Sequence, residues 1–129
     1  MIDTMSHDPT SFPDLTRAIS RRVSSLRDGQ PQAMQGFRQL SDGAMAAGAI
    51  DAKTKELMAL ALGIAAHCDG CIGFHAKALV ALGARRAEVE ETIAVAVYMG
   101  GGPSLMYGAD ALAAFEQFSE KAVAHAAKT

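Results

Sequence analysis

The sequence predicts an all-α chain, a single-domain bundle of about six helices, and three observations predict it. Of 129 residues 26 are Ala, against six Val and six Ile; Ala is the best helix former, and β-branched residues are the strand formers. No stretch alternates apolar and polar residues as a half-buried strand does. Apolar residues recur instead at helical spacing between Gly and Pro breaks. Half of the composition is hydrophobic, enough for a core, and the length fits one domain at roughly 150 residues per domain.

Residues 1–12 are polar, carry Pro9 and show no period. They read as a flexible N-terminal arm, with 13–129 as the single domain. Ser11 or Phe12 leads into Pro13 and Asp14, which suit a first helical turn. That helix carries Leu15, Ala18, Ile19, Val23 and Leu26 and stops near Asp28-Gly29. Pro31 opens a second, with Met34, Phe37, Leu40 and Met45 expected inward, ending near Gly48. Asp51 can cap a third that carries Glu56, Leu57, Leu60, Leu62 and Ile64, with a break expected at Asp69-Gly70. A fourth runs from Cys71 to Leu82 and stops at Gly83, a residue suited to the left-handed position after a helix. Glu88 to Met99 forms a fifth, and the chain turns at Gly100-Gly101-Gly102-Pro103. The last runs from about Ser104 to Ala124, with Met106, Leu112, Phe115 and Phe118 on one stripe. The seven Met read as core filler. The third and fifth helices are apolar nearly all round, more than one small domain can cover, so a homo-oligomer is expected.

Charge and length exclude several classes. Twelve Lys and Arg face 14 Asp and Glu, a formal net charge of −2, which disfavours nucleic acid as a partner. The longest apolar run, Leu57 to Ala66, is half of the roughly 20 residues a membrane span needs. No signal peptide is visible, so the expected location is cytoplasmic. Gly100-Gly101-Gly102-Pro103 lacks the Lys-Ser/Thr of a phosphate loop, and no cofactor is expected. Arg17, Arg21 and Arg22 read as a solvated basic stripe.

The chemistry concentrates in Cys68 and Cys71, the two cysteines of the chain, with His75 four residues on. On one helix these steps place all three on one face, and the spacing tolerates a disulfide. A thiol of pKa near 8.5 needs a shift of roughly 1.5 units, about 2 kcal/mol, to be half thiolate at pH 7. A helix N-terminus supplies about 0.3–1 kcal/mol, and Asp69 opposes it. An imidazole that takes the thiol proton closes the gap, a task for His75. Glu56 on the preceding helix is the carboxylate that could hold His75; Lys53 or an Arg is its competing partner. A structural disulfide over so short a loop would contribute only about 2 kcal/mol. A zinc site would use Cys68, Cys71, His75 and His67, but zinc frameworks usually bring two separated ligand pairs, and no metal is expected.

Glu56, eleven residues, Cys68-Asp69-Gly70-Cys71, three residues and His75 resemble the signature of the alkyl hydroperoxidase D branch of the carboxymuconolactone decarboxylase family. His75-Ala76-Lys77-Ala78 with Gly83, the run Ile93 to Met99, and the Gly-Gly-Gly-Pro turn with Tyr107 after it agree. The resemblance covers about residues 35–118. It implies an all-α bundle assembled into trimers or hexamers. It further implies a thiol-dependent peroxidase in which Cys71 is peroxidatic, Cys68 resolving, and Glu56 with His75 a proton relay. A hydroperoxide would be the substrate and a dithiol or protein the reductant. The chain departs at Gly70, where the best-known members of that branch carry a second His, which leaves the relay one residue shorter. Two alternatives stand beside the peroxidase: a carboxymuconolactone decarboxylase-like lyase using Glu56 and His75 alone, and a non-catalytic redox-sensing oligomer.

Overall fold

The computed structural model describes residues 10–128. Its helices are α1 (Phe12–Gly29), α2 (Pro31–Met45), α3 (Ala52–Ala65), α4 (Asp69–Ala81), α5 (Arg86–Gly100) and α6 (Gly102–Lys128). The fold is all-α, as its composition predicts. Helices α3 to α6 make the centre: α4 packs on α3 and α6, and α5 packs on α3 and α6. α1 closes one side against α4 and α6, whereas α2 touches α1 and α3 alone among the described elements.

The core is built from Leu60 and Ile64 of α3, Ile72, Ala76 and Leu79 of α4, Val89 and Ala96 of α5, and Ala111, Ala114, Phe115 and Phe118 of α6. The small Ala side chains let the helix axes approach, and the Leu, Ile and Phe fill the space between them. The arm expected over 1–12 lies outside the described residues except at its end, and there the structure differs. The Ser11 hydroxyl accepts the Asp14 backbone N–H at 3.3 Å, and Phe12 is 1% exposed. The Phe12 ring and Thr16 lie against Gly73 of α4, so burial draws Phe12 into the bundle; covering a side chain of this size is worth about 1.5–3 kcal/mol.

α2 departs most from its pattern. None of its residues is buried, and Phe37 and Leu40, expected inward, are both 67% exposed. Periodicity identifies an apolar face but not what lies opposite, and among the described residues the contacts with α1 and α3 leave most of this face open. Met106 on α6 and Met58 and Met99, expected in the core, are likewise exposed. With Leu62, Tyr98 and Val95 they add to the apolar surface that the chain leaves uncovered.

α4 ends as its sequence predicts. Gly83 adopts φ +74°, its N–H donates to Val80 O, and the Ala84 N–H donates to Leu79 O, closing a Schellman motif.

Candidate active site

The α3–α4 junction places the site residues, and it falls earlier than the sequence predicts. The chain turns at Ala66–Cys68, so Asp69 and Gly70 form the first turn of α4 instead of a break. Two hydrogen bonds explain the shift: the His67 N–H donates to Ile64 O and the Cys68 N–H to Gly63 O, the pattern of a Schellman stop. The left-handed position in that motif is usually Gly, but here it is His67, at φ +57°. A left-handed L-residue costs roughly 1–2 kcal/mol. The His67 ring stacks on Tyr107 of α6, with centroids 4.6 Å apart and planes 4° from parallel. That contact gives the strained residue a partner, and it is one the sequence reading did not find.

Cys68 therefore serves two helices. Its N–H closes α3, and its Sγ accepts the Cys71 N–H at 3.1 Å as the N-cap of α4. Cys68 and Cys71 are joined as a disulfide, with Cα atoms 5.2 Å apart. Both sulfurs sit at the N-terminal end of α4, where the macrodipole favours negative charge. α3 approaches closely at this point: a Cβ on Gly63 would lie 3.0 Å from Cys71 Cβ and 3.6 Å from the Ile72 nitrogen.

One turn beyond Cys71, His75 meets α3. Its Nδ1 lies 2.6 Å from Glu56 Oε2. The side chains are 30% and 16% exposed, so the pair is sheltered yet reachable by solvent. Lys53, the competing partner, is committed elsewhere: its ammonium is 2.8 Å from Glu88 on α5. The Glu88 carboxyl is held below its ordinary value, first by the backbone N–H of Arg85 and then by Lys53. The structure thus brings Glu56, His75, Cys71 and Cys68 to one α3–α4 interface. Gly70 lies beneath Ile19 of α1, whose Cδ1 would be 3.0 Å from a Cβ at that position. α1 covers the place where the departure from the family signature falls.

The chain is an all-helical bundle with a disulfide at the start of α4 and, one turn on, a Glu–His pair that joins α3 to α4. The family follows from comparison. The carboxymuconolactone decarboxylase family profile matches residues 31–125, and the chain belongs to that family. A carboxymuconolactone decarboxylase family protein from Legionella pneumophila superposes with a TM-score of 0.82 at 53% identity, over 84% of this chain and 96% of that one. A family protein from Thermotoga maritima, suggested to take part in an antioxidative response, aligns with a TM-score of 0.74 at 27% identity, over 81% of this chain and 90% of that one. An uncharacterised protein of Cupriavidus necator is 38% identical over 98 residues, 76% of this chain and 87% of its own length. Among the described residues, no helix is long and apolar enough to cross a membrane.

Proposed function

We propose that the protein is a thiol-dependent peroxidase that reduces organic hydroperoxides through the Cys68–Cys71 pair. The observation that carries this reading is the disulfide at the start of α4 with the Glu56–His75 pair one turn away. An ionised carboxylate only accepts hydrogen bonds, so the short Glu56 contact assigns the proton to Nδ1 of His75. Nε2 is then left as the basic nitrogen, free to take the Cys71 proton. The Cys71 thiolate attacks the terminal peroxide oxygen, the O–O bond breaks, and the alkoxide leaves as alcohol with the proton returned from His75. Cys71 is now a sulfenic acid. The Cys68 sulfur displaces its oxygen as water and forms the disulfide. An external dithiol or protein reductant restores both thiols by exchange. The balance is one hydroperoxide and two thiols giving one alcohol, one water and one disulfide. The antioxidative role suggested for the Thermotoga relative agrees with this chemistry. A cytoplasmic location and a homo-oligomer, trimer or hexamer, complete the reading, the latter supported by the uncovered apolar face of α2, α3 and α5.

The test is intact-mass analysis of fully reduced protein before and after one equivalent of alkyl hydroperoxide. Wild type is expected to lose about 2 Da, and Cys68→Ser to gain about 16 Da as the trapped sulfenic acid. Turnover that survives loss of both cysteines would instead favour lyase chemistry on Glu56 and His75.

A further inference from the structure

A second site lies on the face of α4 turned away from the dithiol. Lys77 stands about 200° around the helix from His75 at 3.6 residues per turn, and there α4 faces α1 and α6. Between these three helices is a cavity of about 450 Å³, within the range of about 300–1,000 Å³ typical of small-ligand pockets. Its floor is apolar, formed by Pro13, Val80 and Phe118, and its rim is basic, formed by Arg17, Lys77, Lys121 and His125. No carboxylate lines it.

The same charge continues into two of the neighbouring depressions, while a third, which shares Pro13 and Lys121, is lined by Asp14 and Glu120. A depression of about 270 Å³ shares Thr16, Arg17 and Lys77 with the cavity and adds Arg21 and Phe74. A second shares Lys121 and His125 and adds Lys128. Five of the chain's 12 Lys and Arg thus gather on one face of a chain whose net charge is −2. Arg17 is paired with Asp14, whereas Lys77 and Lys121 make no ion pair with any described residue. The like charges of Lys77 and Lys121 beside an apolar hollow repel one another, and a bound anion lowers that cost.

We propose that this groove binds a small amphipathic carboxylate, with its aliphatic or aromatic body on Phe118, Val80 and Pro13 and its charged head between Lys77 and Lys121. The basic stripe of α1 gains a function through Arg17, which the sequence alone assigns to solvent. The site shares no residue with the dithiol centre, so it stands or falls independently of the peroxidase reading.

The experiment titrates full-length protein with octanoate, octanol and octylammonium at fixed pH and low salt, following backbone amide shifts and heats of binding. Octanoate is expected to shift Val80, Phe118 and Ala122 and to bind at least about tenfold more tightly than octylammonium. Added salt is expected to weaken octanoate and leave octanol unchanged. Lys77→Gln with Lys121→Gln removes two exposed charges without disturbing the core. It is expected to weaken octanoate about tenfold and to spare octanol. Equal affinity for the three probes, or shifts confined to other residues, would overturn the proposal. So would a double variant that changes the oligomeric mass while no probe binds wild type, since the groove would then be a contact between copies.

Discussion

Nδ1 of His75 lies 2.6 Å from Oε2 of Glu56 although the two are 19 residues apart and on different helices. The separation is bridged by the Cys68 turn, which fixes how α3 and α4 face each other. Glu56→Gln keeps the size of the side chain but removes the charge that steadies a protonated imidazole. Under the proposed mechanism its turnover with an alkyl hydroperoxide is expected to fall by about 100-fold, the lower end of what positioned proton transfer contributes. Coupled peroxide consumption measures it, with circular dichroism as the check on folding. Wild-type turnover in this variant would remove Glu56 from the relay.

Gly63 and Gly36 are expected to respond in opposite directions to Ala. Both lie inside helices, where Ala is favoured over Gly by about 1 kcal/mol. At Gly36 a Cβ meets nothing within 4 Å, so Gly36→Ala is expected to raise the urea midpoint. At Gly63 it presses on Cys71 Cβ at 3.0 Å, and overpacking costs about 1–3 kcal/mol. Gly63→Ala is therefore expected to lower the midpoint.

Acid is expected to loosen the fold through two carboxyls. Asp51 is held below its ordinary value of 3.8 by hydrogen bonds from Thr54, through both its side chain and its backbone. Glu88 is held below 4.5 by the Arg85 backbone N–H and by Lys53. A lowered native pKa means that the unfolded chain binds protons first as pH falls. Their stabilisation is complete above the ordinary values and is lost as pH drops through the lowered ones. Urea midpoints should be flat with respect to these groups at neutral pH and fall below about pH 4.5. Asp51→Asn with Glu88→Gln should flatten that acid limb.

The exposed apolar face should be covered in solution. Phe37, Leu40, Leu62 and Tyr98 are between 67% and 85% exposed in the single chain, an arrangement that marks association surfaces. Light scattering at micromolar concentration is expected to give a multiple of the 13.5 kDa chain mass. Phe37→Asp with Leu40→Asp is expected to reduce it. A monomeric wild type would count against the oligomer.

Much of the fold was legible because its signals are local. Asp51, Pro31 and Gly83 act on their own turns, and each stands at the boundary its chemistry predicts. What lay opposite a face was not legible. The apolar positions of α2 obey helical spacing, yet among the described residues Phe37 and Leu40 stay 67% exposed. At the site, the three- and four-residue steps placed Cys68, Cys71 and His75 together, and the motif brought in Glu56. The His67–Tyr107 stack escaped because it joins a loop to a distant helix through a left-handed backbone that no spacing announces. The cover that Ile19 provides over Gly70 was hidden for the same reason, since it depends on where α1 docks.

The start of α1 is fastened to α6 from both directions: the Phe12 N–H donates to Gln117 Oε1 at 2.8 Å, and Gln117 Nε2 donates to Thr10 O at 3.1 Å. A ribosome releases the first of these residues more than a hundred positions before the last. Until α6 is made, α1 lacks one of the three helices that pack on it, and its docking can finish only when α6 has emerged. The seat of the basic groove, which needs α1, α4 and α6 together, is thus among the last surfaces of the newborn chain to exist.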